Sequence, residues 1–158
     1  MTTTARFAAG LCAVGLMTGL AQAQQPGPLA DITDLACEFP TMTTGTWTKA
    51  GEVSNSVKPS TLTVEFNSIN TLEGSANLKG GTGNLVITMM QLGGVLHLVV
   101  TNPGGAVYLT TVAPVEARPG HYRAVHTRHE LTETAVVIPG YTSRPEQYIG
   151  DCTVRKQP

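Results

Sequence analysis

Alternation of apolar and polar residues is the dominant pattern along the chain, and it predicts β-strands. In residues 61–67 the side chains Leu62, Val64 and Phe66 fall on one face of an extended chain, and the residues between them are polar. Threonine, valine and glycine are frequent, and turn signals recur about every ten residues. The pattern predicts strands at 43–49, 61–67, 75–79, 85–91, 95–101, 106–112, 121–128 and 147–155, with 134–138 left open as a strand or a bend. It predicts one short helical turn at 31–35 and loops at 54–60 and 114–120.

The order of these strands predicts an all-β fold. No helical segment separates neighbouring strands, so parallel βαβ units are excluded. A meander of about eight antiparallel strands removes its exposed edges by closing into a small up-and-down barrel. A two-sheet β-sandwich fits the same strand count and remains the alternative.

Residues 1–23 have the pattern of a cleaved secretory signal peptide. Arg6 precedes an apolar run over 7–20, and Ala21-Gln22-Ala23 is the small-x-small pattern of a cleavage site. The run is too short and too rich in glycine for a membrane anchor, so no membrane span is predicted. We expect an exported protein, periplasmic or extracellular, with a lead segment at 24–36 and one barrel domain at 37–158.

The cysteines predict one disulfide bond. Cys12 lies in the signal segment, which leaves Cys37 and Cys152 near opposite ends of the exported chain. An isolated pair in an oxidising compartment most often forms a bridge. Such a bridge would fasten the first strand to the last.

Composition excludes several classes of function. Ten basic residues against eleven acidic ones provide no positive charge for a nucleic acid or an anionic membrane. The chain has no nucleophile elbow, phosphate-binding loop or dinucleotide fingerprint, so no cofactor is predicted and an enzyme is not favoured.

Three of the four histidines lie close together, at His121, His126 and His129. On one strand His126 and His129 point to opposite faces, so they could share a metal only if the strand ended near Thr127. Histidines on the surface, or hydrogen-bonded in the core, are the simpler interpretation, and no metal site is predicted.

The parity of the same strand predicts a ligand site. Tyr122, His126 and Arg128 share one face, and if it faces the lumen they bring polar groups into an apolar cup. Trp47 and Tyr148 complete the candidate set. In the alternative interpretation His126 is a core histidine bonded to a backbone carbonyl, and Arg128 lies at the rim.

Gly45-Thr46-Trp47 resembles the Gly-x-Trp signature of lipocalins and related calycin barrels. In that family the tryptophan closes one end of the barrel beneath an arginine of the last strand, and Arg155 is the position that could match. The resemblance implies a cup for a small apolar ligand. Residues 121–129 and 145–152 also resemble segments of small exported bacterial proteins of unknown function, which implies no role.

The predicted hairpin at 85–100 is apolar on both faces, around a turn at Gly93-Gly94. Its outer face needs a cover, either another segment or another molecule. Two functions are therefore expected. The first is a binding protein that holds a small apolar molecule in its lumen. The alternative is an interaction or inhibitor module of the cell envelope, or a homodimer, acting through the outer face of this hairpin.

Overall fold

The fold is known from a computed structural model, which describes residues 27–47, 50–80, 83–102, 105–129 and 145–156. These residues form eight antiparallel strands and no helix. The strands are β1 (Ile32–Trp47), β2 (Val53–Asn70), β3 (Ser75–Gly80), β4 (Gly83–Leu92), β5 (Val95–Thr101), β6 (Val107–Arg118), β7 (His121–His129) and β8 (Glu146–Lys156). The predicted signal segment 1–23 and the undecided segment 134–138 lie outside the described residues.

Each strand pairs with its neighbour in sequence, and β1 also pairs with β8. The result is a closed up-and-down barrel, which confirms the predicted fold class over the sandwich. Across the described residues, nothing helical has the length and apolar character needed to span a bilayer. Gly93 and Gly94 both have positive φ, as the predicted tight turn between β4 and β5 requires.

Three strands, β1, β2 and β6, extend far beyond their predicted bounds. β1 begins at Ile32, so the predicted helical turn at 31–35 is wrong, and Ile32 and Leu35 are buried in the core instead. β2 runs through the predicted loop at 54–60, where the hydroxyls of Thr44 and Ser56 lie 2.7 Å apart across the two strands. β6 continues to Arg118 with an irregular register. In residues 54–60, pairing with β1 outweighs the local turn propensity of the serines, the asparagine and the proline.

A bulge in β1 lies at Pro40. Glu38 pairs with Asp151 and Thr41 pairs with Ile149, so β1 has one residue more than β8 between these pairs. Proline has no N–H for a ladder and is accommodated in a closed sheet at such a bulge. The extra residue changes the parity of the strand. Phe39 is buried in the core before the bulge, and Met42 packs against the core after it.

Gly150 lies opposite this bulge. A Cβ atom at that position would overlap the backbone carbonyl of Glu38 and lie 2.8 Å from the Cα atom of Phe39. Only glycine lets β8 approach the bulged backbone this closely.

The two ends of the barrel differ. At one end, here named the Leu29 end, residues 28–31 form a turn and place Leu29 fully inside the core. The Nε2 atom of Gln91 on β4 lies 3.5 Å from the Leu29 carbonyl, to which it donates a hydrogen bond. At the other end, here named the Glu146 end, β1, β5 and β7 finish and β2, β6 and β8 begin.

Large apolar side chains form the core of the lumen. Its fully buried members include Phe39, Phe66, Leu29, Ile32, Met89, Leu96 and Leu98. The predicted disulfide between Cys37 and Cys152 is present within this core, where the two residues face each other on β1 and β8.

We expect the disulfide to supply a large share of the barrel's stability. It closes a loop with a sequence separation of 115 residues, for which the chain-entropy model gives about 4 to 5 kcal/mol. The double substitution Cys37→Ala/Cys152→Ala should lower the free energy of unfolding by that amount in urea titrations. A reducing agent should shift the urea midpoint of the native chain and leave that of the double variant unchanged. Equal stability of the two proteins under oxidising conditions would contradict this account.

Candidate functional site

Polar side chains enter the lumen near the Glu146 end, in two rows across β6, β7 and β8. The first row is Thr110, His126 and Tyr148, which are register partners on the three strands. The second row, nearer to the end of the barrel, is Tyr108, Arg128 and Glu146. Because side chains two residues apart on a strand share a face, both rows point inwards together.

His126 is the buried member of the first row, with 5% of its surface exposed. Its Nδ1 atom lies 2.8 Å from the Thr110 hydroxyl, and its ring lies 5.6 Å from that of Phe39 and 5.8 Å from that of Tyr148. Burial, and next the positive charge of Arg128, lower the pKa of His126 from 6.5 to about 4. The imidazole is therefore neutral at neutral pH.

The second row carries two opposite charges. Glu146 is buried, and its Oε2 atom accepts a hydrogen bond of 2.5 Å from the Tyr148 hydroxyl. The same oxygen lies 3.9 Å from an Nη atom of Arg128. The guanidinium carbon of Arg128 lies 5.7 Å from the centre of the Tyr108 ring and 5.2 Å from that of Tyr148. Two aromatic faces thus hold this cation in place.

A cavity of about 610 Å³ lies beside these rows, between the first two strands and the last two. Met42 pairs with Tyr148 across the seam of β1 and β8, so the two residues form adjoining walls. The lining combines apolar surface, hydroxyl groups and one charged side chain; its members are Met42, Pro59, Ser60, Thr61, Leu62, Thr63, Arg128 and Tyr148.

The structure brings some of the sequence-predicted residues together. Arg128 and Tyr148 line the cavity, and His126 lies against the Tyr148 ring. Tyr122 is buried on β7 opposite Cys152, four residues and about 13 Å along the strand from His126. It belongs to the core towards the Leu29 end and does not line this cavity. The Trp47 backbone pairs with Val53 at the Glu146 end, and its side chain lies outside the described atoms.

The histidines do not form a metal cluster. β7 continues to His129, so His126 faces the lumen and His129 is exposed on the opposite face. His121 faces outwards, with its Nδ1 atom 2.7 Å from a carboxylate oxygen of Asp151. Within the described ranges, no three His, Cys, Asp or Glu side chains are arranged to hold a metal ion.

The backbone also places the two residues of the lipocalin-like resemblance. Arg155 pairs with Asp34 at the Leu29 end, whereas Trp47 lies at the Glu146 end of the same strand β1. The contact between tryptophan and arginine that the resemblance implies is therefore not available to this pair. The lipocalin-like relationship itself stays a prediction.

Several site residues were missed by sequence reasoning. A signal existed for Glu146, because residues 146, 148, 150 and 152 share a face on β8 and Cys152 is committed to the core by its disulfide. No such signal existed for Met42. Strict alternation from the inward-facing Cys37 predicts that residues 39 and 41 face inwards and that Met42 faces outwards. The bulge at Pro40 reverses this alternation, so Met42 faces inwards.

The outer face of the hairpin β4–β5 is a second candidate surface. Val86, Met90 and Leu92 on β4 are 73%, 45% and 63% exposed. On β5 the outward His97 bonds through Nδ1 to the Thr111 hydroxyl at 3.1 Å. The inward residues Ile87, Met89, Leu96 and Leu98 are buried, so the hairpin is apolar on both faces as the sequence predicts.

No family model, no curated protein and no solved structure matches this chain. The cavity at the Glu146 end and the outer face of the hairpin β4–β5 are therefore the two features from which a function can be inferred.

The lowered pKa of His126 predicts a pH dependence of stability. Between pH 6.5 and about 4 the unfolded chain binds a proton that the folded chain excludes. The free energy of unfolding should therefore fall as the pH is lowered through this range, by about 3 kcal/mol from this group. At pH 7 and above the contribution of this group should be constant.

Urea titrations of the native chain and of His126→Gln across this range test the effect. The difference between the two curves isolates His126, because every other titratable group is common to both proteins. His97→Gln is the matched control on the outer face, and it should retain the native slope. Parallel curves for the native chain and His126→Gln would contradict the assignment.

Proposed function

We propose that this protein is an exported binding protein that holds a small, largely apolar molecule in the cavity at the Glu146 end. The observation that carries the proposal is the cavity of about 610 Å³, in which apolar walls adjoin a few fixed polar groups. This volume is typical of small-molecule sites. An eight-stranded barrel is also just wide enough to hold one small ligand.

The contrast between the two halves of the barrel supports this location. Towards the Leu29 end, Leu29, Ile32 and Leu35 fill the space between the strands. Towards the Glu146 end, Met42 and Leu62 are only partly buried and line the cavity. A bound apolar molecule would cover these two side chains, and each buried Å² of apolar surface would contribute about 25 cal/mol.

Export is part of the proposal. Its support is the signal-like pattern of residues 1–23 together with the disulfide between Cys37 and Cys152. Such bridges persist in oxidising compartments such as the periplasm.

A cavity-filling substitution tests the site. N-phenyl-1-naphthylamine, a neutral apolar dye, fluoresces strongly once it leaves water, and it should bind the native chain. Met42→Trp places a larger side chain on the cavity wall and should weaken binding of the dye at least tenfold, as measured by fluorescence titration.

The matched control is Met90→Trp, the same substitution on the exposed outer face of β4. It should bind the dye as the native chain does. Circular dichroism melts would show that both variants are folded. If Met90→Trp lost dye binding and Met42→Trp retained it, the dye site would lie on the outer face of β4. Absence of dye binding to the native chain would overturn the proposal.

The exposed apolar side chains of β4 favour a second candidate, in which the outer face of residues 85–100 pairs with a second copy of the chain. Between Val86 and Val99 this face carries no Asp, Glu, Lys or Arg; its residues are Val86, Thr88, Met90, Leu92, Val95, His97 and Val99. Two copies could therefore approach without repulsion between like charges.

Light scattering during size-exclusion chromatography tests this second candidate. A native dimer should become a monomer in Met90→Glu, and Met42→Trp should remain a dimer. A native chain that stays monomeric at high concentration would exclude self-association and leave an envelope partner as the alternative occupant.

A further inference from the structure

Arg128 is the charged residue among the side chains that line the Glu146-end cavity. A guanidinium has five N–H donors. Among the described residues its ion-pair partner is the Oε2 atom of Glu146, and a separation of 3.9 Å is too long for a hydrogen bond. Donors of a fixed cation therefore remain for a group that enters the cavity.

Glu146 forms an ion pair with Arg128, but Glu146 is not among the residues that line the cavity. Its carboxylate is buried behind the lining, with 6% of the side chain exposed, and its Oε2 atom accepts a hydrogen bond from the Tyr148 hydroxyl. Arg128 is more accessible, with 27% of its side chain exposed. A molecule in the cavity thus meets the guanidinium before it meets the carboxylate.

The guanidinium is also held before any ligand arrives. The rings of Tyr108 and Tyr148 lie against it, which restricts the rotamers of a long side chain. A cation that is already in position loses little entropy when it binds an acceptor. His126, buried two residues away on the same face, is neutral and adds no second positive charge at neutral pH.

We propose that the ligand is an amphipathic monocarboxylic acid, with its carboxylate on Arg128 and its apolar body on Met42 and Leu62. The planar guanidinium matches a carboxylate with two parallel hydrogen bonds. Because Arg128 is the one charged side chain among the described residues of this lining, the cavity suits a ligand with a single negative charge. This inference rests on the proposed function, since it names the ligand class of the same cavity.

Competition between decanoic acid and decan-1-ol tests the inference, because the two molecules share a chain and differ in the head group. Each displaces N-phenyl-1-naphthylamine from the full-length exported protein at pH 8. We expect the acid to bind the native chain at least tenfold more tightly than the alcohol. Arg128→Gln should remove this preference and change the affinity for the alcohol by less than about threefold.

The matched control is Arg123→Gln, because Arg123 lies on the same strand β7 and is exposed on its outer face. It should retain the native preference. Glu146→Gln removes the competing carboxylate and keeps an acceptor for the Tyr148 hydroxyl, so it should tighten binding of the acid several-fold and leave the alcohol unchanged. Weaker binding of the acid in Glu146→Gln would overturn the inference.

The outcomes separate this inference from the proposed function. Equal displacement by acid and alcohol in the native chain would overturn the carboxylate assignment and leave an apolar site. Displacement by neither, with no binding of the dye, would overturn both. If Arg128→Gln does not fold, Arg128→Lys keeps the charge and loses the paired donors. It should lower the preference for the acid, and an unchanged preference would overturn the role of Arg128.

Discussion

The pairing of β1 with β8 is the interaction on which the rest of this structure depends. It converts a meander of strands into a closed barrel, and the disulfide between Cys37 and Cys152 fastens it from inside. The same seam builds the candidate site, because its register sets Met42 beside Tyr148 and Thr44 beside Glu146. The bulge at Pro40 makes this register possible, and Gly150 leaves room for it. The same pairing of β1 with β8 therefore closes the barrel and forms a wall of the cavity.

The two ends of the barrel lumen differ in the chemistry of the side chains that point inwards. Large apolar side chains and the disulfide fill the part towards the Leu29 end, which supplies the hydrophobic burial that a domain of this size requires. Towards the Glu146 end the inward positions carry hydroxyl, imidazole, guanidinium and carboxylate groups. Buried polar groups of this kind lower stability unless they are paired. Here Thr110 is paired with His126 and Tyr148 with Glu146, and the concentration of these groups beside a cavity is the physical reason for proposing a role in ligand recognition.

Most of the fold could be predicted from the sequence, because alternation over 61–67 and the turn at Gly93-Gly94 are local signals. The pairing of Cys37 with Cys152 followed from the count of cysteines. The shared inward face of His126 and Arg128 was also predictable, from alternation along one strand. The rest depends on cross-strand contacts that alternation does not encode. The bulge at Pro40 reverses the parity of β1, and the distant partner strand keeps residues 54–60 extended.

Native mass spectrometry of the protein, purified from an oxidising compartment without refolding, tests the central claim most directly. The account predicts a chain that has lost its signal segment and two hydrogens, and that carries one small non-covalent ligand. The ligand should be absent from Met42→Trp prepared in the same way. A native chain with no bound molecule, or an identical adduct on Met42→Trp, would contradict the claim that the cavity at the Glu146 end is a binding site.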